Sequence, residues 1–187
     1  PEQNTPVYPD LVWGMPTPQA APRPKDGPLT VGIGLMAYHG WRSFAEGREI
    51  FESYVDKMAA FADWLVEHGY KVRLLVGEKS DDRAVAAVTE RAKSSRGPNW
   101  IHAPSALDIH QLMDQIADTD VVVATRFHNI VCALKLGKPS ISISYMNKCA
   151  ELMTLAGTPE YTQDIEILDL NKLKRQFEDL MANREAL

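Results

Sequence analysis

The segment from Asp120 to Thr125, Asp-Val-Val-Val-Ala-Thr, constrains the fold more than any other part of the sequence. Its apolar residues are consecutive rather than alternating, so both faces of a strand formed here must be covered. Strands of this kind are typical of parallel sheets that carry helices on both sides. The run ends at Thr-Arg-Phe-His (125–128), which places an arginine and a histidine directly after a predicted core strand.

Strand and helix patterns alternate along the chain from residue 29 onward. Short β-rich runs predict strands, and apolar positions three or four residues apart predict helices. The predicted strands cover 29–35, 71–77, 99–103, 120–125, 139–144 and, as a short edge strand, 165–168. The predicted helices cover 45–68, 80–94 with Ser80 as the N-cap, 107–117, 127–136, 147–156 and 169–183. This order predicts an α/β fold, a Rossmann-like parallel sheet of five or six strands with helices on both faces.

The first 28 residues differ in composition from the rest, because they contain eight of the twelve prolines. Proline lacks a backbone donor and fixes φ, so it is excluded from central strands and helix interiors. We therefore predict an extended linker over 1–28, packed through Tyr8, Leu11 and Trp13, followed by one Rossmann-like domain over 29–187.

Composition excludes several classes of protein. The 187 residues are 45% hydrophobic, enough for one core, and the net charge of −5 does not suit a nucleic-acid binder, which usually has a basic face. No apolar run reaches the roughly 18 residues of a transmembrane segment. Cys132 and Cys149 lack metal-type spacing and are predicted to be reduced thiols, which indicates a cytoplasmic protein. A peripheral association with the membrane stays open.

Ligands of open parallel sheets bind at the carboxyl ends of the strands. At the end of strand 120–125, Arg126 could grip a phosphate or carboxylate through two parallel hydrogen bonds, beside the free N–H groups of a helix start. His128 could transfer a proton near neutral pH. The alternative is that Arg126 pairs with a nearby acid and that His128 only bonds to the backbone.

Two other strand ends carry residues of the same kind. The loop 36–42 holds aromatic rings beside cationic groups, which suits stacking on a sugar, although a packed loop would look the same. Lys148 stands at a predicted helix start, where the dipole disfavours it, so it could face a phosphate; the alternative is a solvated surface lysine.

Metal and dinucleotide sites are not predicted. His68, His102 and His110 have no ligand spacing. The Gly-Ile-Gly at 32–34 lies inside a predicted strand and does not fit a dinucleotide-binding turn.

The stretch 121–148 resembles the signature of the polysaccharide pyruvyl transferase family. The resemblance rests on Thr125-Arg126-Phe127-His128, Gly137, Pro139 and Tyr145-Met146-Asn147-Lys148. It implies a two-domain GT-B-type fold of which this chain forms the carboxyl-terminal half. Residues 1–28 would then be a tail from a missing amino-terminal domain, and the isolated fragment would be inactive. Met146 departs from the family pattern, which has an acidic residue there.

The resemblance also implies an activity, the transfer of a pyruvyl group from phosphoenolpyruvate to two hydroxyls of a sugar as a cyclic ketal. The acceptor would be a glycan or lipid-linked sugar of a cell-surface or exopolysaccharide, and neither metal nor cofactor would be needed. By match to the motif, His128 would be the general acid/base, and Arg126 and Lys148 would hold the anions of the donor. Further predicted substrate contacts are Tyr145, Asn147, Tyr38, His39, Arg42 and Thr125.

Two other functions stay open at this point. A GT-B glycosyltransferase or nucleotide-sugar enzyme would use the same anion sites and an acidic ribose contact, for which Glu151 is a candidate. A non-catalytic glycan-binding remnant would keep the fold without the chemistry.

Overall fold

The computed structural model of the protein describes residues 10–19, 27–43, 45–101 and 108–184. Six strands lie within these ranges: β1 Thr30–Gly34, β2 Lys71–Leu75, β3 Trp100–Ile101, β4 Val121–Ala124, β5 Ser140–Ser144 and β6 Thr162–Asp164. All pair in parallel in the order β3-β2-β1-β4-β5-β6. The order reverses between β1 and β4, so the topological switch point lies where these two neighbours end.

The same ranges contain six α-helices: α1 Arg48–Glu67, α2 Asp82–Arg91, α3 Ile109–Ala117, α4 Phe127–Lys135, α5 Asn147–Leu155 and α6 Leu170–Asn183. Helix α1 packs against α2 and α6, whereas α4 packs against α3 and α5. Right-handed crossovers toward the two ends of the sheet place these groups on opposite faces. The predicted Rossmann-like α/β fold is therefore confirmed.

The consecutive apolar residues at 121–124 form a central strand of the sheet, β4. Every residue of β4 is buried, and the strand lies between β1 and β5, with Val123 opposite both Ile33 and Ile141. The predicted parallel arrangement of 121–124 and 140–144 is confirmed. Two predicted helix ends are confirmed as well, because Gly69 and Gly137 follow α1 and α4 with φ of 84° and 63°, a conformation that favours glycine.

The predicted edge strand over 165–168 is wrong. The edge strand is β6, whose polar residues Thr-Gln-Asp pair with β5. Ile165 and Leu168 follow the end of this strand, and their apolar side chains are buried in the core. In the turn that follows β6, the amide of Glu166 donates to the Asp164 carboxylate.

Two other local predictions need correction. Ser80 does not cap a helix; it lies in a 3₁₀ turn, Lys79–Asp81, and α2 begins after it at Asp82. In the proline-rich segment, Leu11–Gly14 form a 3₁₀ helix that packs through the buried Val12, while Leu11 and Trp13 are exposed. Tyr8 lies outside the described residues.

Candidate functional site

Arg126 follows β4 directly and is the N-cap residue of α4. Its guanidinium donates from Nε to Asp81 Oδ2 and from Nη2 to Asp81 Oδ1, both at 2.8 Å. Nη1 lies 2.8 Å from Glu78 Oε2, and Nη2 also donates to the Ser80 hydroxyl at 3.2 Å. Arg126 therefore pairs with nearby acids, which is the alternative considered from the sequence. Both acids come from the loop after β2.

Asp81 is fully buried and joins three strand ends. Besides Arg126, its Oδ1 accepts the backbone N–H of Ala37, which follows β1, at 3.0 Å. Burial alone would lower the pKa of Arg126, but the hydrogen bond to Asp81 and the charges of Asp81 and Glu78 raise it above its ordinary value. The arginine is therefore a fixed cation at the switch point, with a side chain that stays 20% exposed.

A cavity of about 410 Å³ opens beside this cation, and we call it the arginine cavity. A second arginine, Arg83, lies in its wall with its guanidinium carbon 5.6 Å from the centre of the Phe51 ring. Two arginines and one exposed carboxylate give the lining of the cavity a net positive charge. Its lining consists of Met36, Ala37, His39, Trp41, Phe51, Glu78, Ser80, Arg83, Arg126 and Tyr145.

Three aromatic rings cluster at the edge of the arginine cavity; Trp41 and Tyr145 line it, and Tyr38 packs against both without lining it. The ring centres of Trp41 lie 6.0 Å from Tyr38 and 5.8 Å from Tyr145. Trp41 is 69% exposed and has a φ of 57°, a conformation that costs energy for any residue except glycine. Strained backbone clusters at ligand-binding sites, so Trp41 is a candidate ligand contact.

Tyr38 and Tyr145 are held more firmly than Trp41. The Tyr38 hydroxyl donates to Glu166 Oε1 at 2.7 Å. Burial and this hydrogen bond raise the pKa of Tyr38 to about 12, against the opposing positive charge of the exposed Arg42. Burial likewise raises the pKa of Tyr145. Both phenols are therefore protonated at neutral pH. Asn147 lines a separate cavity of about 590 Å³, which also includes Tyr38 and Trp41.

His128 lies apart from these residues. Its side chain is 58% exposed, its Nε2 lies 3.9 Å from Asp10 Oδ2, and it lines a larger cavity of about 740 Å³, which we call the histidine cavity. The lining consists of Asp10, Leu11, Val12, Met15, Gly77, Glu78, Lys79, Asp108, Ile109, Leu112 and His128. His128 and the loop 36–42, both candidate contacts from the sequence, lie at different cavities, because no residue of that loop lines this one. Glu78 belongs to the walls of both cavities.

Two other predicted contacts, Lys148 and Thr125, line neither cavity. Lys148 is exposed, and its Nζ lies 4.3 Å from the centre of the ring of Phe127, the residue between Arg126 and His128 in the sequence. Thr125 is fully buried, and its hydroxyl is 2.8 Å from the Tyr54 hydroxyl. It lies beneath the site and supports the end of β4.

Sequence reasoning missed four residues of the site. Glu78, Asp81 and Arg83 follow β2, a strand end that we had not assigned to the site, and no pattern links them to Arg126. Asn129 is the fourth. Its side chain is fully buried, and neither amide atom has a hydrogen-bond partner. A methyl group added at Gly34 or Gly77 would overlap this amide, so both glycines are required where β1 and β2 end.

Over residues 10–19, 27–43, 45–101 and 108–184, no group of three or more histidine, cysteine or acidic side chains is arranged to hold a metal ion. Within the same ranges, no helix combines the length and the apolar character that a membrane span requires.

The fold and the position of the cavities define a Rossmann-like α/β protein whose candidate site lies at the carboxyl ends of the strands, next to the switch point. Residues 1–147 match the model of the polysaccharide pyruvyl transferase family, and the chain belongs to that family. The resemblance of the stretch 121–148 is thereby confirmed. The division of the chain at residue 28 and the roles of the individual side chains stay predictions.

Two solved structures have similar folds. The molybdenum cofactor carrier protein MCP from Chlamydomonas reinhardtii has a TM-score of 0.51 at 12% identity, over 83% of this chain and 99% of that one. The glycosyltransferase SnogD from Streptomyces nogalater has a TM-score of 0.45 at 13% identity, over 99% of this chain and 44% of that one. At 12% identity, the likeness to MCP concerns the fold alone.

Proposed function

We propose that the protein transfers a pyruvyl group from phosphoenolpyruvate to two hydroxyls of a sugar in a cell-surface or exopolysaccharide glycan. The family of the chain supports a transferase of this class. The single observation that carries the proposal is the position of Arg126, a cation fixed by the buried Asp81 at the switch point of the sheet.

The arginine cavity suits the donor. Phosphoenolpyruvate carries a phosphate and a carboxylate, and arginine binds both groups through paired donors. Nη1 of Arg126 pairs with Glu78, a side chain that is 58% exposed. An anion of the donor would replace Glu78 at Nη1, while Asp81 keeps its hold on Nε and Nη2. Arg83 and Lys148 would neutralise the remaining charge.

The reaction needs balanced proton transfers. The methylene carbon of the donor takes up a proton, and positive charge develops on the neighbouring carbon. A sugar hydroxyl attacks that carbon and loses its proton, and the bond to the phosphate oxygen breaks. The second hydroxyl then closes the ring and loses its proton as well. Of the two protons released, one replaces the proton added to the methylene carbon and the other leaves with phosphate. His128 would act as the general acid/base in these steps.

The aromatic side of the arginine cavity would serve the same reaction. Trp41 and Tyr145, which line the cavity and are packed against Tyr38, would cover the reacting carbon and keep water away from the developing positive charge. Phenols that stay protonated at neutral pH add no negative charge near the anionic donor.

We further propose that the chain is the carboxyl-terminal half of a GT-B-type enzyme in the cytoplasm. Both cavities lie at the carboxyl ends of the strands, and an amino-terminal domain would cover them there. Pyruvyl transfer would then require the full-length protein, whereas donor binding could be measured on this chain.

The test is calorimetric titration of the chain with phosphoenolpyruvate, UDP and simple hexoses. We expect phosphoenolpyruvate to bind and Arg126→Lys to weaken its binding roughly ten-fold or more, because lysine keeps the charge but loses the fork. Arg175→Lys, at an exposed position on α6, is the matched control. Binding of UDP without phosphoenolpyruvate would favour the nucleotide-sugar alternative. Circular dichroism of each variant would show whether the fold is retained.

A further inference from the structure

The histidine cavity is built from four separate elements. These are the 3₁₀ helix Leu11–Gly14, the loop after β2 and the first turns of α3 and α4. Its apolar wall includes the buried Val12 and Leu112 and the half-buried Ile109. Its volume of about 740 Å³ falls within the range of small-molecule sites. The cavity is therefore large enough for a substrate, and the donor proposed above does not use it.

The histidine cavity and the arginine cavity differ in net charge. Asp10, Glu78 and Asp108 line it together with Lys79, which leaves two net negative charges when His128 is neutral. The arginine cavity has two arginines against Glu78. A ligand with a phosphate and a carboxylate is repelled by the first cavity and attracted by the second, because close like charges disfavour binding.

The same features suit an uncharged polyol. Carboxylate oxygens accept hydrogen bonds from hydroxyls, and the apolar wall can pack against the C–H faces of a sugar ring. A further polar group lies behind the wall. The fully buried Asn129 amide has no partner, and its Oδ1 faces Gly77, which lines the cavity. Buried amides without partners are rare, and a bound water would satisfy this one.

The two cavities meet at one helix start. Arg126 and His128 are separated only by Phe127, and Glu78 lines both cavities. A hydroxyl held beside His128 would therefore approach a donor held by Arg126 from across Glu78. His128 would accept the proton as the O–H bond breaks and the hydroxyl oxygen attacks the donor carbon.

We propose that the histidine cavity is the acceptor subsite and that it binds a neutral sugar of the glycan. This inference rests on the proposed function, and it adds the place and the charge class of the acceptor. An acceptor with a carboxylate near the reacting hydroxyls would be disfavoured by the acidic lining.

Chemical-shift mapping tests the proposal without any variant. The chain labelled with ¹⁵N is titrated with methyl glucoside, methyl mannoside and methyl galactoside, each in the presence of phosphoenolpyruvate. At least one sugar should shift the amides of Val12, Ile109, Leu112 and His128. Methyl glucuronide should shift them less at equal concentration. Shifts confined to the arginine cavity, or none for any sugar at its solubility limit, would overturn the proposal.

A matched pair of variants tests the same point by affinity. Ile109→Trp fills the cavity and should weaken sugar binding roughly ten-fold, with donor binding changed less than about two-fold. His110→Trp adds an equally large ring at the next, exposed position of α3 and should change neither. If donor binding fails in the unmodified chain, the proposed function fails. If the donor binds and the sugars do not, only the acceptor subsite is wrong.

Discussion

The carboxylate of Asp81 holds the guanidinium of Arg126 through two hydrogen bonds of 2.8 Å, from a position that is fully buried and 45 residues earlier in the chain. This pair fixes the direction of the arginine before any ligand arrives. It occupies Nε and Nη2 and leaves Nη1 with the exposed Glu78. Nε and Nη2 are thus held by the buried Asp81, whereas Nη1 could exchange Glu78 for a ligand.

The first prediction concerns stability. Asp81→Asn keeps the shape of the side chain but removes its charge, so a partly buried arginine loses its main partner. Breaking a buried ion pair costs about 3–5 kcal/mol, and the partial exposure of Arg126 reduces the expected loss to about 2–4 kcal/mol of unfolding free energy. Urea denaturation measures it. Asp114→Asn, at an exposed position on α3, should change the value by less than about 0.5 kcal/mol.

The second prediction concerns Glu78. If this carboxylate occupies the place of a donor anion, Glu78→Gln should tighten the binding of phosphoenolpyruvate by roughly three- to ten-fold, because it removes both a competitor and a negative charge. The stability should hardly change, since an ion pair this exposed contributes about 1 kcal/mol at most. Calorimetry measures the affinity.

Glu90→Gln, on the exposed surface of α2, changes the net charge equally and should leave the affinity unaltered. Weaker donor binding by Glu78→Gln would mean that Glu78 orients Arg126 for the ligand, and the exchange described above would be wrong.

Much of the fold could be predicted from the sequence because the strands are buried on both faces. The consecutive apolar residues of β4 and the glycines after α1 and α4 are local signals, and the structure confirms what they predict. Strand β6 has no such signal, since Thr162, Gln163 and Asp164 pair through backbone groups at the sheet edge. The apolar residues that follow it belong to the core, and they misled the prediction.

The site was predictable only in part. The position of Arg126 after a core strand follows from the sequence, but its partner Asp81 comes from a distant loop that the topology brings close. Arg126 and His128 line different, adjoining cavities for a geometric reason. Residues i and i+2 at a helix start do not face the same side, so the two side chains enter different cavities.

The third prediction concerns His128 in the full-length protein. His128→Gln keeps a hydrogen-bonding group but cannot transfer a proton, so turnover should fall by roughly 10²–10⁴-fold, as in His128→Ala. The affinity for phosphoenolpyruvate should hardly change, because His128 lines the other cavity. A coupled assay for released phosphate measures turnover. His110→Gln is the control. Turnover near normal in His128→Gln would remove the acid/base role.

The last prediction concerns alkaline pH. Burial and the hydrogen bond to Glu166 raise the pKa of Tyr38 from its ordinary 10.0 to about 12, so the native state favours the protonated phenol. Its stabilising contribution is complete below pH 10 and is lost as the pH rises to about 12. Tyr38→Phe should therefore lower the unfolding free energy at neutral pH and flatten its decline in the alkaline range. Tyr161, whose pKa is also raised to about 12, should account for part of the decline that remains.

Glu166→Gln retains an acceptor without the charge, so the pKa of Tyr38 should fall, which ultraviolet titration of tyrosinate would measure. An alkaline decline as steep in Tyr38→Phe as in the unmodified protein would show that the Tyr38–Glu166 bond does not stabilise the loop after β1.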